Sequence, residues 1–288
     1  MKTAFPRLVS IHGGHSGEFC THADDTLDAL IQAYMHKGFR WVGITEHMPP
    51  VANHFRYPDE IEAGLEASDL YQRFERYMKT ARTLQKQYAS RITLYVGFET
   101  ETYTGAFPFI EELVNTFAPD YIVGSVHHVN DAGIDWTAEA YQQAADDLGG
   151  HDLLYEAYFD QQYEMILRLR PQVVGHFDLV RIYDDAYVQR LQKTSIRSRI
   201  LRNLELIKQL DLIMDLNVRS LFKGASEPYI ARPILKEALS LGIPVVPGDD
   251  SHDLATVGLN VQQGIALLQN MGFNTDWRTP IQKRYPSL

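Results

Sequence analysis

An α/β fold in which seven βα units close into one barrel, with helices outside, is what this sequence predicts, and three observations predict it. Short apolar runs alternate with segments whose apolar residues recur at three-and-four spacing. No Pro/Gly/Ser-rich linker, low-complexity tract or fixed-period repeat divides the 288 residues, so residues 1–288 read as one domain. Most of the apolar runs end in His, Asp or Glu, and the carboxyl ends of barrel strands converge on one mouth.

The first run, residues 8–12, ends at His12 and is broken by Gly13-Gly14, a pair that lets backbone pass close to a ligand. Asp24 or Asp25 is the expected cap of the next helix, whose Leu27, Leu30, Ile31 and Tyr34 share one buried face. Lys37-Gly38 closes that helix, since glycine tolerates the left-handed turn at a helix end. Residues 40–45 form the second strand, and such a βαβ crossover favours parallel strands. Residues 48–59, with three prolines, exceed the usual connection length and predict a lid or substrate loop. A long amphipathic helix over 70–88 precedes the third strand, 92–98, which leads to Glu99. A helix over 109–117 and a fourth strand over 121–126 lead to His127-His128. Residues 129–136 read as a polar loop, followed by helices at 138–148 and 153–169. The fifth strand runs from Pro171 to His176, and a helix over 187–210 leads to the sixth, 212–216, ending in Asn217-Val218-Arg219. A helix at 231–241, a seventh strand at 243–246 and a helix at 254–271 complete the series.

A hydrophobic content of 45% supplies a sizeable core. No apolar run reaches the roughly 18 residues that span a bilayer, and residues 1–6 carry no signal-peptide core. The expectation is a cytoplasmic protein with no membrane partner. Cys20, the one cysteine, excludes an internal disulfide and suits a reducing compartment. A net charge of −10, with basic residues scattered apart from Arg197, Arg199 and Arg202, disfavours long nucleic acid as a partner. Bound cations would offset part of that balance, and 11 histidines beside 37 acidic residues supply the donors.

Seven histidines, His12, His15, His22, His47, His127, His176 and His252, fall at or just past strand ends. A single strand-end histidine is ordinarily a hydrogen-bonded structural residue. Seven together, with Glu99 and Asp250 at matching positions, point to zinc, iron or manganese, for which imidazole and carboxylate are the expected donors. Arg181 and Arg219 lie where a guanidinium would fork onto phosphate, the plain alternative being a surface ion pair. His128 is a candidate for substrate contact or for packing. Glu46, Asp178 and Asp249 are candidates to accept the far N–H of a ligand imidazole, or to be solvated or to cap. Cys20 lacks a catalytic Cys/His signature and reads as packing near the metals. Phe55, Tyr57, Tyr103 and Phe107 are pocket aromatics or ordinary packing.

The set His12-Gly13-Gly14-His15, Cys20-Thr21-His22, Thr45-Glu46-His47, Gly97-Phe98-Glu99, Gly124-Ser125-Val126-His127, Gly175-His176-Phe177-Asp178-Leu179 and Gly248-Asp249-Asp250-Ser251-His252 resembles the PHP (polymerase and histidinol phosphatase) superfamily. The similarity is nearest to its histidinol-phosphate phosphatase branch and runs in order from about residue 10 to residue 258. It implies a distorted (β/α)7 TIM-like barrel of PHP type holding two or three divalent ions of zinc, iron or manganese. By the resemblance, one ion takes His12, His15, Glu99 and Asp250; a second shares Glu99 and takes His127 and His176; a third takes His22, His47 and His252. Two departures stand out. His12 and His15 are separated by two glycines, where the family pattern has a single residue between them, and the following step to His22 is one residue longer than the pattern.

Water bridging two such ions loses a proton near neutral pH, and ions about 3.5–4 Å apart clamp a phosphate for in-line attack. The expected activity is therefore a metal-dependent phosphomonoesterase acting on a small phosphate ester, with Glu99, Asp250 and His252 at the reacting centre and Arg181, Arg219 and His128 toward the substrate. Attack by a metal-bridging hydroxide needs no Ser, Cys or Asp nucleophile. The resemblance points to L-histidinol phosphate as substrate, in histidine biosynthesis. Another small ester, or metal binding without catalysis, are the alternatives, separated by metal content and turnover.

Overall fold

The structure, a computed structural model, describes residues 6–280. The lead-in over residues 1–5 lies outside the described residues. Seven parallel strands share one sheet in the order β1 (Val9–Ser10), β2 (Trp41–Ile44), β3 (Thr93–Glu99), β4 (Tyr121–Gly124), β7 (Val173–Val174), β8 (Ile213–Asn217) and β9 (Val245–Gly248). Between β4 and β7 the chain adds a separate antiparallel hairpin, β5 (His128–Val129) and β6 (Ala132–Gly133). The first and last strands meet: Ile11 N donates to Pro247 O at 2.9 Å and Asp250 N to His12 O at 2.9 Å, so the sheet is a nearly closed barrel.

Val9, Ile11, Trp41, Tyr121, Val123, Val173, Ile213 and Val246 pack together, and all eight are buried. The Tyr121 hydroxyl donates to Ile11 O at 2.5 Å. Glycine is required at 43, because a Cβ there would overlap that hydroxyl.

Helices cover the outside. α1 (Leu27–His36) is capped by Thr26, whose Oγ1 accepts from Ala29 N at 3.2 Å, rather than by Asp24 or Asp25. Asp25 instead sits at φ +63° and accepts Leu254 N at 2.8 Å. Past the short helix α2 (Pro58–Glu62), α3 (Ala67–Gln87) buries Leu70, Phe74, Tyr77, Met78, Ala81 and Leu84, as its periodicity requires. Fully burying each large apolar side chain contributes about 1.5–3 kcal/mol. The Tyr77 hydroxyl also bonds Ile44 O at 2.9 Å and Gly97 O at 2.5 Å, tying α3 to β2 and β3. α4 (Ala106–Phe117), α5 (Ala138–Leu148), α6 (His151–Leu169) and α10 (Arg232–Leu241) fall close to their expected positions. No helix among the described residues is long and apolar enough to cross a membrane.

Five segments depart from expectation. The 48–59 loop contains a 3-10 turn, Asn53–Phe55, and the start of α2, with Pro58 in its first turn. The helix expected over 187–210 breaks into α7 (Tyr187–Arg190) and α8 (Thr194–Gln209), because Arg190 and Lys193 both turn to Asp152 and Arg190 Nε donates to Asp184 at 2.7 Å. Residues 219–222 form a one-turn helix, α9 (Arg219–Phe222). The closing helix, α11 (Val261–Met271), begins seven residues later than expected: Gly258 N donates to Asp249 Oδ2 at 2.6 Å and holds the preceding turn against the end of β9.

The polar loop expected at 129–136 is the β5–β6 hairpin. Asn130 and Asp131 have φ of +49° and +68°, the pair of left-handed residues that a type I′ turn needs.

Candidate metal centre

Glu99, at the end of β3, lies among four imidazoles. Its Oε2 is 3.4 Å from His12 Nε2 and 3.2 Å from His47 Nδ1; its Oε1 is 2.9 Å from His176 Nε2 and 3.3 Å from His127 Nε2. Burial pushes the Glu99 carboxyl up, but His12 and His127 outweigh it and hold the group well below the usual carboxylate range.

Asp250 forms the other focus, past β9. Its Oδ1 is 3.2 Å from His15 Nε2 and 3.7 Å from His252 Nδ1, while Oδ2 accepts Asn217 Nδ2 at 3.0 Å. The extra glycine between His12 and His15 does not separate them, since their ring centroids are 6.0 Å apart and both are buried. A Cβ at Gly13 would overlap the Gly43 carbonyl, so the chain crosses β2 here only as glycine. Burial lowers the His15 pKa, yet Asp250 and Glu46 carry it up to about 9. His47 and His252 move the other way: burial and the neighbouring His15 hold both well below their ordinary value, leaving neutral rings.

Three sets of donor atoms converge, each within 4.8 Å: His12, His15 and Asp250; His12, Glu99 and His176; and His15, Cys20, His47 and His252. His22 stands outside them. Its ring lies 5.3 Å from His47 and 5.1 Å from His252, and its Nδ1 is 3.3 Å from Asp59 Oδ2, at the partly exposed rim. Cys20 is a buried member of the third set, and burial pushes its thiol up.

The donors fit metal ions on a further ground. His12 Nε2, both His15 nitrogens, His47 Nδ1 and His176 Nδ1 are buried and make no hydrogen bond. Carboxylate oxygens lie 3.2–3.5 Å from several of them without hydrogen-bond geometry. A buried nitrogen lone pair without a partner is costly, and imidazole clustered with carboxylate is the donor set of divalent transition ions.

The other imidazole nitrogens are fixed from behind, as in metal sites generally. Asp215 Oδ2 is 3.1 Å from His12 Nδ1, and Glu101 lies 2.9 Å from His127 Nδ1 and 3.0 Å from His128 Nδ1. The sequence reading missed both acids. A buried charge in the middle of the apolar run of β8, and a second glutamate two residues after Glu99, were the available signals. Glu46 accepts Ser16 N and Oγ at 2.8 Å and approaches His15 Nδ1 at 3.5 Å, not its neighbour His47. Asp178 and Asp249 touch no imidazole. Asp178 binds Arg181 and Ala231 N, each at 2.9 Å, and Asp249 accepts the Tyr34 hydroxyl and Gly258 N.

A pocket of about 350 Å³ opens over the cluster, with Glu99, His127, His176, Asp250 and His252 in its lining. Arg219 lines it too, its Nη1 donating to Asp250 O at 2.8 Å. Arg181 does not. The 3-10 turn Leu179–Arg181 aims it at Asp178, at Glu227 O and Pro228 O, and over the Tyr229 ring at 4.6 Å, where it is buried. His128 is likewise behind the wall, held by Glu101 and packed edge-on to Tyr103 and Trp136. Of the expected aromatics only Tyr57 lines the pocket; Phe55 stacks on Tyr103 at 4.2 Å, and Phe107 packs on the core.

A PHP domain model matches residues 13–219. A probable histidinol-phosphatase of Schizosaccharomyces pombe is 33% identical over 271 residues, spanning 93% of this chain and 88% of that protein. The histidinol-phosphatase of Saccharomyces cerevisiae is 28% identical over 86% of this chain and 84% of its own length. The solved structure of a putative histidinol phosphatase from Listeria monocytogenes superposes with a TM-score of 0.79 at 23% identity, covering 89% of this chain and 99% of that one, a likeness of fold. Barrel, histidine-rich strand ends and family match agree, and the chain belongs to the PHP domain family.

Proposed function

We propose that this protein is a cytoplasmic metal-dependent phosphomonoesterase that hydrolyses L-histidinol phosphate to L-histidinol and phosphate, in histidine biosynthesis. The observation that carries the reading is the buried imidazole and carboxylate cluster beneath a pocket of about 350 Å³ lined by Arg219. The names and full-length similarity of the relatives support the substrate.

In this reading His12, His15, Glu99 and Asp250 hold one ion, Glu99, His127 and His176 a second, and His22, His47 and His252 a third, each zinc, iron or manganese. When bound, such ions supply a hydroxide near neutral pH and a clamp for the phosphate oxygens. The chain's residues do the rest. Glu99, ionised through its histidine neighbours, carries negative charge between two donor sets. Asp250 is held well below its usual range by His12 and His15 despite burial, and so stays anionic, as a ligand to a divalent ion must. His252 is kept neutral, with a lone pair to offer. Arg219, held against the Asp250 carbonyl, directs its remaining N–H groups to the phosphate.

The test is metal analysis followed by turnover of L-histidinol phosphate against sugar, nucleotide and amino-alcohol phosphates. A preference of at least about tenfold, about 1.4 kcal/mol in transition-state binding, is expected. A smaller preference removes the substrate assignment. Fewer than two tightly bound ions, with no activity after adding zinc, iron or manganese, removes the enzyme.

A further inference from the structure

The segment that leaves the β5–β6 hairpin forms one wall of the pocket, and its chemistry does not suit a phosphate. The hairpin is firmly held: the Asp131 carboxylate accepts Thr104 N at 2.6 Å and Thr104 Oγ1 at 2.8 Å, and Gln161 Oε1 accepts Asn130 N at 3.1 Å while its Nε2 donates to His128 O at 2.7 Å. Just past the hairpin, Asp135 and Trp136 line the pocket. The indole lies directly on Gly133, where a Cβ would meet it at 2.5 Å, and stands edge-on to Tyr57 with centroids 5.7 Å apart. Both residues keep a buried polar atom without a hydrogen bond, Asp135 Oδ1 and Trp136 Nε1. Among the described residues, no Lys, Arg or His comes within ion-pair distance of the Asp135 side chain.

A carboxylate here repels phosphate, while Arg219 and Lys223 on the same pocket attract it. The pocket thus carries two chemistries, one suited to the phosphoryl group and one to the alcohol that leaves. We propose that Asp135 and Trp136 form the leaving-group subsite: the carboxylate takes a cationic group of the departing alcohol, and the indole covers its flat face. The assignment rests on the phosphomonoesterase reading above and gives its specificity a location. The class of substrate it selects is a phosphate ester of a cationic, planar alcohol. Neutral sugar and nucleoside esters lack the charge that Asp135 awaits.

Asp135→Asn holoenzyme, with metal content measured, is compared with the parent on L-histidinol phosphate and on p-nitrophenyl phosphate, an ester whose leaving group carries no positive charge. KM for L-histidinol phosphate is expected to rise at least about tenfold, with p-nitrophenyl phosphate kinetics within about twofold. Inhibition by free L-histidinol should weaken at least about tenfold, while inhibition by inorganic phosphate stays within about twofold. Equal losses on both esters, or no loss on either, overturn the subsite. Asp135→Ser serves if the Asn variant fails to fold. A parent that prefers a different cationic ester, with the same selective loss in the variant, keeps the subsite and removes only L-histidinol phosphate as the substrate. A parent that prefers L-histidinol phosphate, with a variant that does too, removes only the subsite.

Discussion

Asp215→Asn should weaken metal binding about tenfold without touching a single proposed ligand. Asp215 is fully buried in β8, and its Oδ2 stands 3.1 Å from His12 Nδ1, leaving His12 Nε2 turned toward Glu99. The anionic acceptor fixes the proton on Nδ1 and strengthens the opposite lone pair as a donor. Asparagine keeps the shape and an acceptor oxygen but removes the charge. A charge-assisted hydrogen bond contributes about 1.5–3 kcal/mol and a neutral one about 1. The difference of about 0.5–2 kcal/mol corresponds to roughly 2- to 30-fold in affinity, overlapping the usual effect of losing such partners. Competition between the zinc-loaded protein and a chromogenic chelator measures it at fixed pH. Asp249→Asn is the control, since that carboxylate is equally enclosed but accepts from Tyr34 and Gly258 and meets no imidazole. If Asp215→Asn holds zinc within about twofold of the parent, or if the Asp249 variant loses as much, the proposed role of Asp215 is wrong.

Arg181→Met should leave kcat/KM within about threefold but cost about 3–5 kcal/mol in urea unfolding, because Asp178 stays buried without its counter-charge. Arg219→Ala should do the reverse, lowering kcat/KM about 100-fold with stability changed by less than about 1 kcal/mol. For His15, raised from 6.5 to about 9 in the folded metal-free protein, the stabilisation is complete below pH 6.5 and is lost as pH climbs through about 9. Thermal unfolding of the metal-free protein across that window should therefore show falling stability. Zinc affinity should rise over the same window, as binding displaces the proton. Gly13→Ala should destabilise by about 1–3 kcal/mol, because its methyl meets the Gly43 carbonyl; unchanged urea unfolding would count against the close crossing.

What the sequence made legible was local. Seven strands could be placed because each is a short apolar run with a breaker after it, and a donor at a strand end needs no partner to be noticed. The hairpin escaped because two residues per strand leave no alternation to read, and Asn130-Asp131 is a weaker turn signal than Asn-Gly. Asp215 and Glu101 escaped because their roles depend on imidazoles elsewhere in the chain, up to 203 residues away. Arg181 misled for the same reason: proximity to a strand end fixed its place in the chain, while a 3-10 turn and the neighbouring Asp178 fixed where its guanidinium went. His22 shows the limit on the site side. Its place just past a strand end was readable; its position at the rim, away from the converging sets, was not.

The seam between β1 and β9 has a consequence for the order of events during synthesis. Ser10 and Asp249, joined at 2.5 Å, are 239 residues apart, so the two sides of the proposed ligand ring come from opposite ends of the polypeptide. A growing chain that stops short of β9 has His12 and His15 but neither Asp250 nor His252, and it displays two unpaired strand edges, β1 and β8. Such edges are templates for aggregation, and the closure that removes them carries the entropy of a very long loop. Sealing the barrel and completing the ligand ring are thus a single late step, and a truncated product lacks both at once.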